Sequence, residues 1–173
     1  MTISYRDAGP ADAALLSDLS RRAFVETFGH LYRQEDLDAF LPKLGEAAWR
    51  AELEQPDLQV RLAEGDGEAA GFAKLGPVSL PVETGRPALE LRQLYLLRPW
   101  HGVGISHALM EWVLGQARRR GAEELYLSVW SENHRAQRFY ERYGFAFLAP
   151  YAFMVGEQAD EDQILRLDLK EER

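Results

Sequence analysis

At 173 residues, with 46% hydrophobic and 28% charged side chains, the chain has the length of one domain and neither the polar excess of disorder nor the apolar excess of a membrane protein. It contains no cysteine, which excludes disulfides, thiolate metal sites and a cysteine nucleophile. A formal charge of −8 argues against a nucleic-acid partner, which needs a basic face, and leans toward a cationic ligand.

The opening Met1-Thr2-Ile3-Ser4-Tyr5-Arg6-Asp7 has no basic stretch followed by an apolar run, and nowhere do 18 apolar residues follow one another. No membrane span is expected, and a cytoplasmic location follows. No repeat or linker tract divides residues 1–173, which read as a single domain. In chain order, residues 3–6 predict a short strand. Ala14, Leu15, Leu19, Ala23 and Phe24 place a helix over residues 11–28. Helical pieces at 35–41 and 46–53 are punctuated by Pro42 and Pro56.

Residues 58–64 and 69–80 flank Gly65-Asp66-Gly67-Glu68, an Asp-Gly hairpin signal. After a Pro- and Gly-rich loop, residues 88–97 form a strand. A period of two sets Leu89, Leu91, Gln93, Tyr95 and Leu97 on one face and Glu90, Arg92, Leu94 and Leu96 on the other. From Gly104 the pattern turns helical through Ile105, Ala108, Leu109, Trp112 and Val113, until Arg118 to Arg120 and Gly121 end it. Residues 125–130 predict a buried strand, 131–143 a helix closed by Gly144, and 145–155 and 163–169 the last strands.

The informative stretch is Leu94-Tyr95-Leu96-Leu97-Arg98-Pro99-Trp100-His101-Gly102-Val103-Gly104-Ile105-Ser106, a strand, a glycine turn and a helix start. Such a turn aims free backbone N–H groups at one point, where the helix dipole favours an anion and a pyrophosphate fits. A side chain at Gly102 or Gly104 would hinder close approach of the phosphate. The turn lacks the Gly-Lys-Ser/Thr ending of a P-loop and the third glycine of a dinucleotide fingerprint. A tight turn that needs glycine for its own geometry is the plainer reading.

This turn resembles the Arg/Gln-x-x-Gly-x-Gly/Ala coenzyme A motif of GNAT acetyltransferases, with His101, Gly104 and Ser106 at its defined positions. His101 replaces Arg or Gln, and Ser106 replaces Gly or Ala. Ser128 to Phe145, containing Asn133, Tyr140 and the Gly144-Phe145 ending, resembles the second family motif, in family order. Glu26-Thr27-Phe28-Gly29-His30-Leu31-Tyr32 and Glu35-Asp36-Leu37 are similar to the segment after the first helix in bacterial polyamine-type members.

The resemblance implies an α/β GNAT fold, a mixed twisted sheet of about seven strands with helices on both sides. It implies acetyl-CoA as co-substrate and a small cationic amine, such as a polyamine, as acceptor. Backbone groups of Leu94, Tyr95 and Leu96 would bond the pantetheine arm. The turn His101, Gly102, Val103, Gly104, Ile105 and Ser106 would hold the pyrophosphate. Asn133 is either a coenzyme contact or a helix-start residue bonding its own backbone. Tyr140 is either a core aromatic or the hydroxyl that protonates the leaving thiolate. Glu90 is either the general base or the partner of Arg92 in an ordinary ion pair, with Glu26, His30, Tyr32 and a water as other bases. The four histidines lack metal-ligand spacing, so no metal is expected, and a homodimer is allowed. Two rivals stay open: transfer to a protein N-terminus or lysine, and a non-catalytic acyl-CoA-binding module.

Overall fold

The computed structural model describes residues 1–170. Among them, strands β1 (Ile3–Asp7), β2 (Gln59–Gly65), β3 (Glu68–Gly76), β4 (Ala88–Leu96), β5 (Glu124–Trp130), β6 (Ala146–Val155) and β7 (Gln158–Asp168) build one mixed sheet. The order is β1-β2-β3-β4-β5-β7-β6, with β4 and β5 parallel and every other pair antiparallel. Helices α1 (Ala13–Phe28), α2 (Gln34–Phe40) and α3 (Glu46–Leu53) precede β2; α4 (Ile105–Arg119) joins β4 to β5, and α5 (His134–Arg142) joins β5 to β6.

The apolar periods explain which helix covers which face. Ile105, Leu109, Met110, Val113 and Ala117 of α4 pack with Leu89, Leu91, Leu125, Leu127 and Leu165 of the sheet, and Tyr140 of α5 joins them. On the opposite face Leu16, Leu19 and Ala23 of α1 and Trp49 of α3 pack on Val60, Leu62 and Phe72. The Asp66-Gly67 turn of the β2–β3 hairpin has φ of 51° and 82°, the left-handed pair that an Asp-Gly hairpin favours.

Three boundaries differ from the sequence expectation by about three residues or more. β3 stops at Gly76 rather than Leu80, because the following loop is pulled back onto β4: Glu90 accepts hydrogen bonds from Ser79 N (2.7 Å), Ser79 Oγ (3.0 Å) and Leu80 N (3.1 Å). Arg92 donates to the Pro77 carbonyl at 3.0 and 2.7 Å. This loop covers Tyr126 and Ile164 with Leu80, Val78 and Val82. α5 starts at His134 because Asn133 caps it, its side chain accepting from Ala136 N. β7 begins at Gln158, since Asp160 to Asp162 pair with both neighbouring strands despite their polarity.

The expected alternation along β4 also needs correction. Lys74 of β3 stands opposite Gln93, but the next residue, Leu75, stands opposite Leu91. Arg92 is therefore the extra residue of a β-bulge, and a bulge exchanges the two faces downstream of itself. Leu89 and Leu91 share their face with Leu94 and Leu96, whereas Tyr95 and Leu97 pack on the α1 side.

Phe72, fully buried, stands edge-on to both Trp49 and Tyr95 at centroid separations of 5.2 and 5.6 Å. Phe72→Ala should cost about 3–5 kcal/mol of stability, as aromatic truncations in a packed core do. Denaturant unfolding of the variant checks this.

Candidate active site

β4 and β5 pair only through Ala88, Leu89 and Glu90, opposite Glu124, Leu125 and Tyr126. β5 then continues along β7 as far as Trp130 opposite Asp162, while the bulged β4 continues along β3. The strands part, and a cleft of about 720 Å³ opens between them. Leu97 donates its N–H to Ala70 of β3 at 2.9 Å, and antiparallel alternation turns the N–H groups of Leu94 and Leu96 the other way, into the cleft. The Tyr95 backbone is turned to β3 by the same alternation.

At one mouth the β4–α4 turn lines the cleft with His101, Gly102, Gly104, Ile105 and Ser106. Gly102 and Gly104 have φ of +80° and +92°, and a Cβ at either would meet nothing within 4 Å. Glycine is thus required by backbone conformation, and the space beside it is open. The first turn of α4 carries no carboxylate, so its free N–H groups and dipole face an uncompensated concavity suited to an anion. His101 Nε2 donates to the Leu96 carbonyl at 3.0 Å, fastening the turn to β4. Asn133, whose Oδ1 caps α5 at 3.3 Å from Ala136 N, lines the cleft too, as do Arg135, Arg138 and Arg142 of α5, the helix whose Phe139 packs edge-on against His107 in the first turn of α4. Val103 does not line the cleft and is 38% exposed.

Tyr140 reaches the cleft from the α4 face, edge-on to Phe145 at 5.7 Å. Burial, with Tyr95 adding to it, holds its hydroxyl well above the ordinary phenol range. The group therefore stays protonated at neutral pH.

The far end opens on the α1 face and carries the opposite charge. Asp160 and Asp162 of β7 line it with Phe28, Tyr32, Tyr95 and Trp130. Tyr32 donates its hydroxyl to Asp160, and burial together with that bond raises its pKa beyond the phenol range. Burial also pushes the Tyr95 hydroxyl up to about 12. Asp162 is 7% exposed; desolvation, and then the charge of Asp160, push its carboxyl up to about 7.

The structure brings Leu94, Tyr95, Leu96, His101, Gly102, Gly104, Ile105, Ser106, Asn133 and Tyr140 to this one cleft. Glu90 is a correction: it does not line the cleft, it makes no pair with Arg92, and its carboxylate is occupied by the Ser79-Leu80 turn. Glu26 is spent on the Arg98 N–H at 2.8 Å, and His30 does not line the cleft. Asp160, Asp162 and Gln93 were missed. A polar run before the expected start of β7 looks like a loop, and only the i, i+2 spacing of the two aspartates hinted that both face one side.

The family model for the acetyltransferase (GNAT) family matches residues 16–145, more than half of the chain. The chain belongs to the GNAT acetyltransferase family. It is 31% identical over 159 residues to an uncharacterised N-acetyltransferase of Mycobacterium tuberculosis, covering 91% of this chain and 98% of that one. It is 29% identical over 161 residues to the streptothricin acetyltransferase of Streptomyces lavendulae, covering 84% and 82%. Among solved structures, the PaiA N-acetyltransferase of Thermoplasma acidophilum in complex with coenzyme A has a similar fold, with a TM-score of 0.78 at 20% identity over 97% of this chain and 99% of that one. This GNAT protein is accordingly an N-acetyltransferase with acetyl-CoA as co-substrate.

Two expectations arise from the geometry of this acetyltransferase. Ser106 occupies the second position of α4, where an acidic side chain suits the helix dipole but repels an anion at the turn. Ser106→Asp should leave the melting temperature unchanged or slightly raised and weaken acetyl-CoA binding at least about tenfold, read by calorimetry. For Asp162, the folded carboxyl titrates near 7 while an unfolded one titrates at about 4. Between those values the folded state holds a proton that the unfolded chain has lost, so this group's contribution falls as pH rises through that window. Asp162→Asn should therefore melt above the parent at pH 8, with the gap closing toward pH 4. A gap that does not change with pH would show that the carboxyl is not desolvated.

Proposed function

We propose that this N-acetyltransferase acylates a small cationic primary amine, with polyamines the leading class. The observation that carries the reading is the opposite charge at the two ends of the cleft: the α4 N-terminus with Arg135, Arg138 and Arg142 at one mouth, and Asp160 and Asp162 at the other. An anionic pyrophosphate fits the first and an ammonium the second. A net charge of −8 draws a cation from long range. The similarity of residues 26–32 and 35–37 to polyamine-type members supports the same class, and one relative is by name an acetyltransferase of streptothricin.

In this reading the turn from His101 to Ser106 holds the pyrophosphate on its N–H groups. Asn133 and the α5 arginines border the rest of the coenzyme. The Leu94 and Leu96 N–H groups lie where the thioester oxygen gains charge during attack, as an oxyanion site requires. Transfer is direct in a ternary complex, with the neutral amine attacking from the α1 face and Tyr140 giving its proton to sulfur on the α4 face.

Coenzyme A release measured over polyamines, amino acids, aminoglycosides and short peptides tests the acceptor. Polyamines should give the highest kcat/KM, and the value should fall as salt screens the attraction. Preference for a peptide or an uncharged acceptor would remove the polyamine reading. In the same assay Tyr140→Phe, which keeps the ring and its packing, should lower kcat roughly 10- to 1000-fold with acetyl-CoA affinity within a few-fold. A fully active variant would leave Tyr140 as a core aromatic alone.

A further inference from the structure

We propose that Asp162 is the general base of the reaction, taking the proton from the acceptor's ammonium group while Asp160 and Gln93 hold that group beside it. The inference rests on the cationic-amine reading above and assigns the step that reading leaves open, since an ammonium has no lone pair with which to attack.

Four carboxylates are buried among the described residues: Asp36, Glu90, Glu124 and Asp162. Three have evident partners. Asp36 accepts from Arg33 and from the Glu157 N–H, and Glu90 accepts from the Ser79-Leu80 turn. Glu124 is met by Arg86, Arg166 and the Tyr126 hydroxyl. Asp162 has no cation within salt-bridge distance in the described residues, and it faces the cleft. A carboxylate buried in this way is costly unless something positive arrives beside it.

The groups around Asp162 narrow its use. On its own strand stands Asp160, whose oxygens already accept from Tyr32 and from Gln158 Nε2. Across the sheet lie Trp130 of β5 and Tyr151 of β6. From β4 comes Tyr95 and from the segment after α1 comes Tyr32, both with hydroxyls that remain protonated at neutral pH. Asp162 is thus, among the described residues, a buried cleft-facing carboxylate without a cation beside it, and its raised pKa suits it to accept a proton near pH 7. Gln93 adds an independent sign of a ligand with N–H donors. Its Oε1 is buried without a hydrogen-bond partner among the described residues, and its side chain and Asp162 both act on the Tyr95 hydroxyl. An ammonium offers three N–H donors, enough for Asp160, Asp162 and Gln93 together.

The protons balance. Asp162 takes one proton from the ammonium and later releases it to solvent. The freed lone pair forms the new bond to the thioester carbonyl carbon, and the carbon–sulfur bond breaks. Tyr140 protonates the sulfur, and the proton shed by the new amide nitrogen restores the Tyr140 hydroxyl. The products are an N-acetylated amine, neutral coenzyme A thiol and one proton.

The test is steady-state kinetics of spermidine acetylation by the parent, Asp162→Asn and Asp160→Asn across pH, with acetyl-CoA affinity measured separately by calorimetry. In the parent, kcat/KM should rise through a pKa near 7 and level off. Asp162→Asn should lose roughly 100-fold in kcat at neutral pH, with acetyl-CoA affinity unchanged, and its rate should climb with pH to the end of the range. Asp160→Asn should raise KM far more than it lowers kcat. An Asp162→Asn enzyme that keeps kcat and the parent's pH profile, or changes only KM, overturns the base while leaving the acceptor reading intact. A parent that acetylates no cationic amine overturns the acceptor reading and the base with it.

Discussion

Once β4 carries an extra residue at Arg92, it cannot stay parallel to β5, and that parting creates everything else in the site. A bulge bends its strand and increases the local twist. Backbone N–H groups that would have joined a ladder to β5 are left facing the gap, which is why a sheet with a filled core on both faces still contains a cleft. The Glu90 and Arg92 side chains secure the arrangement from behind, pinning the loop after β3 to the strand at the point where it departs.

The gap passes through the sheet, so its two faces receive different chemistry. α4 and α5 lie on one face, bringing a helix N-terminus, three arginines and Tyr140. The end of α1 and the β6–β7 hairpin lie on the other, bringing aromatic rings and two aspartates. The hairpin is held to the α1 face by Asp36, bonded to the Glu157 N–H at 2.9 Å, and by Tyr32 on Asp160. Phe28 meets Trp130 and Phe40 meets Phe153 edge-on in the same seam. The segment after α1 thus acts as a clasp on the acidic strand.

The acidic end also shows where stability has been given up. The other buried carboxylates have hydrogen-bond or ion-pair partners, whereas Asp162 is desolvated beside a like charge, an arrangement that favours its neutral form. Such local destabilisation is tolerated where the surrounding packing holds the group in place and a ligand supplies the missing partner.

Sequence alone determined the local features: the Asp-Gly hairpin, the glycine turn opening α4 and the amphipathic stripes that assign each helix a face. These are encoded within a few residues, by backbone conformation and side-chain period. The residues of the glycine turn and Tyr140, which line the cleft, were legible as well, because both lie in contiguous motifs. Tertiary structure decided the rest. Period-two reading misplaced Tyr95 because the bulge is visible only against β3, and Glu90 lost its candidacy because its partner, the Ser79-Leu80 turn, folds back onto it. Asp160 and Asp162 lay outside the strand expected over 163–169, and only the pairing of β5 and β6 with them placed them in the sheet. The burial and the raised pKa of Asp162 arise from strands and rings distant in sequence, and no local pattern records which charges those contacts leave without a partner.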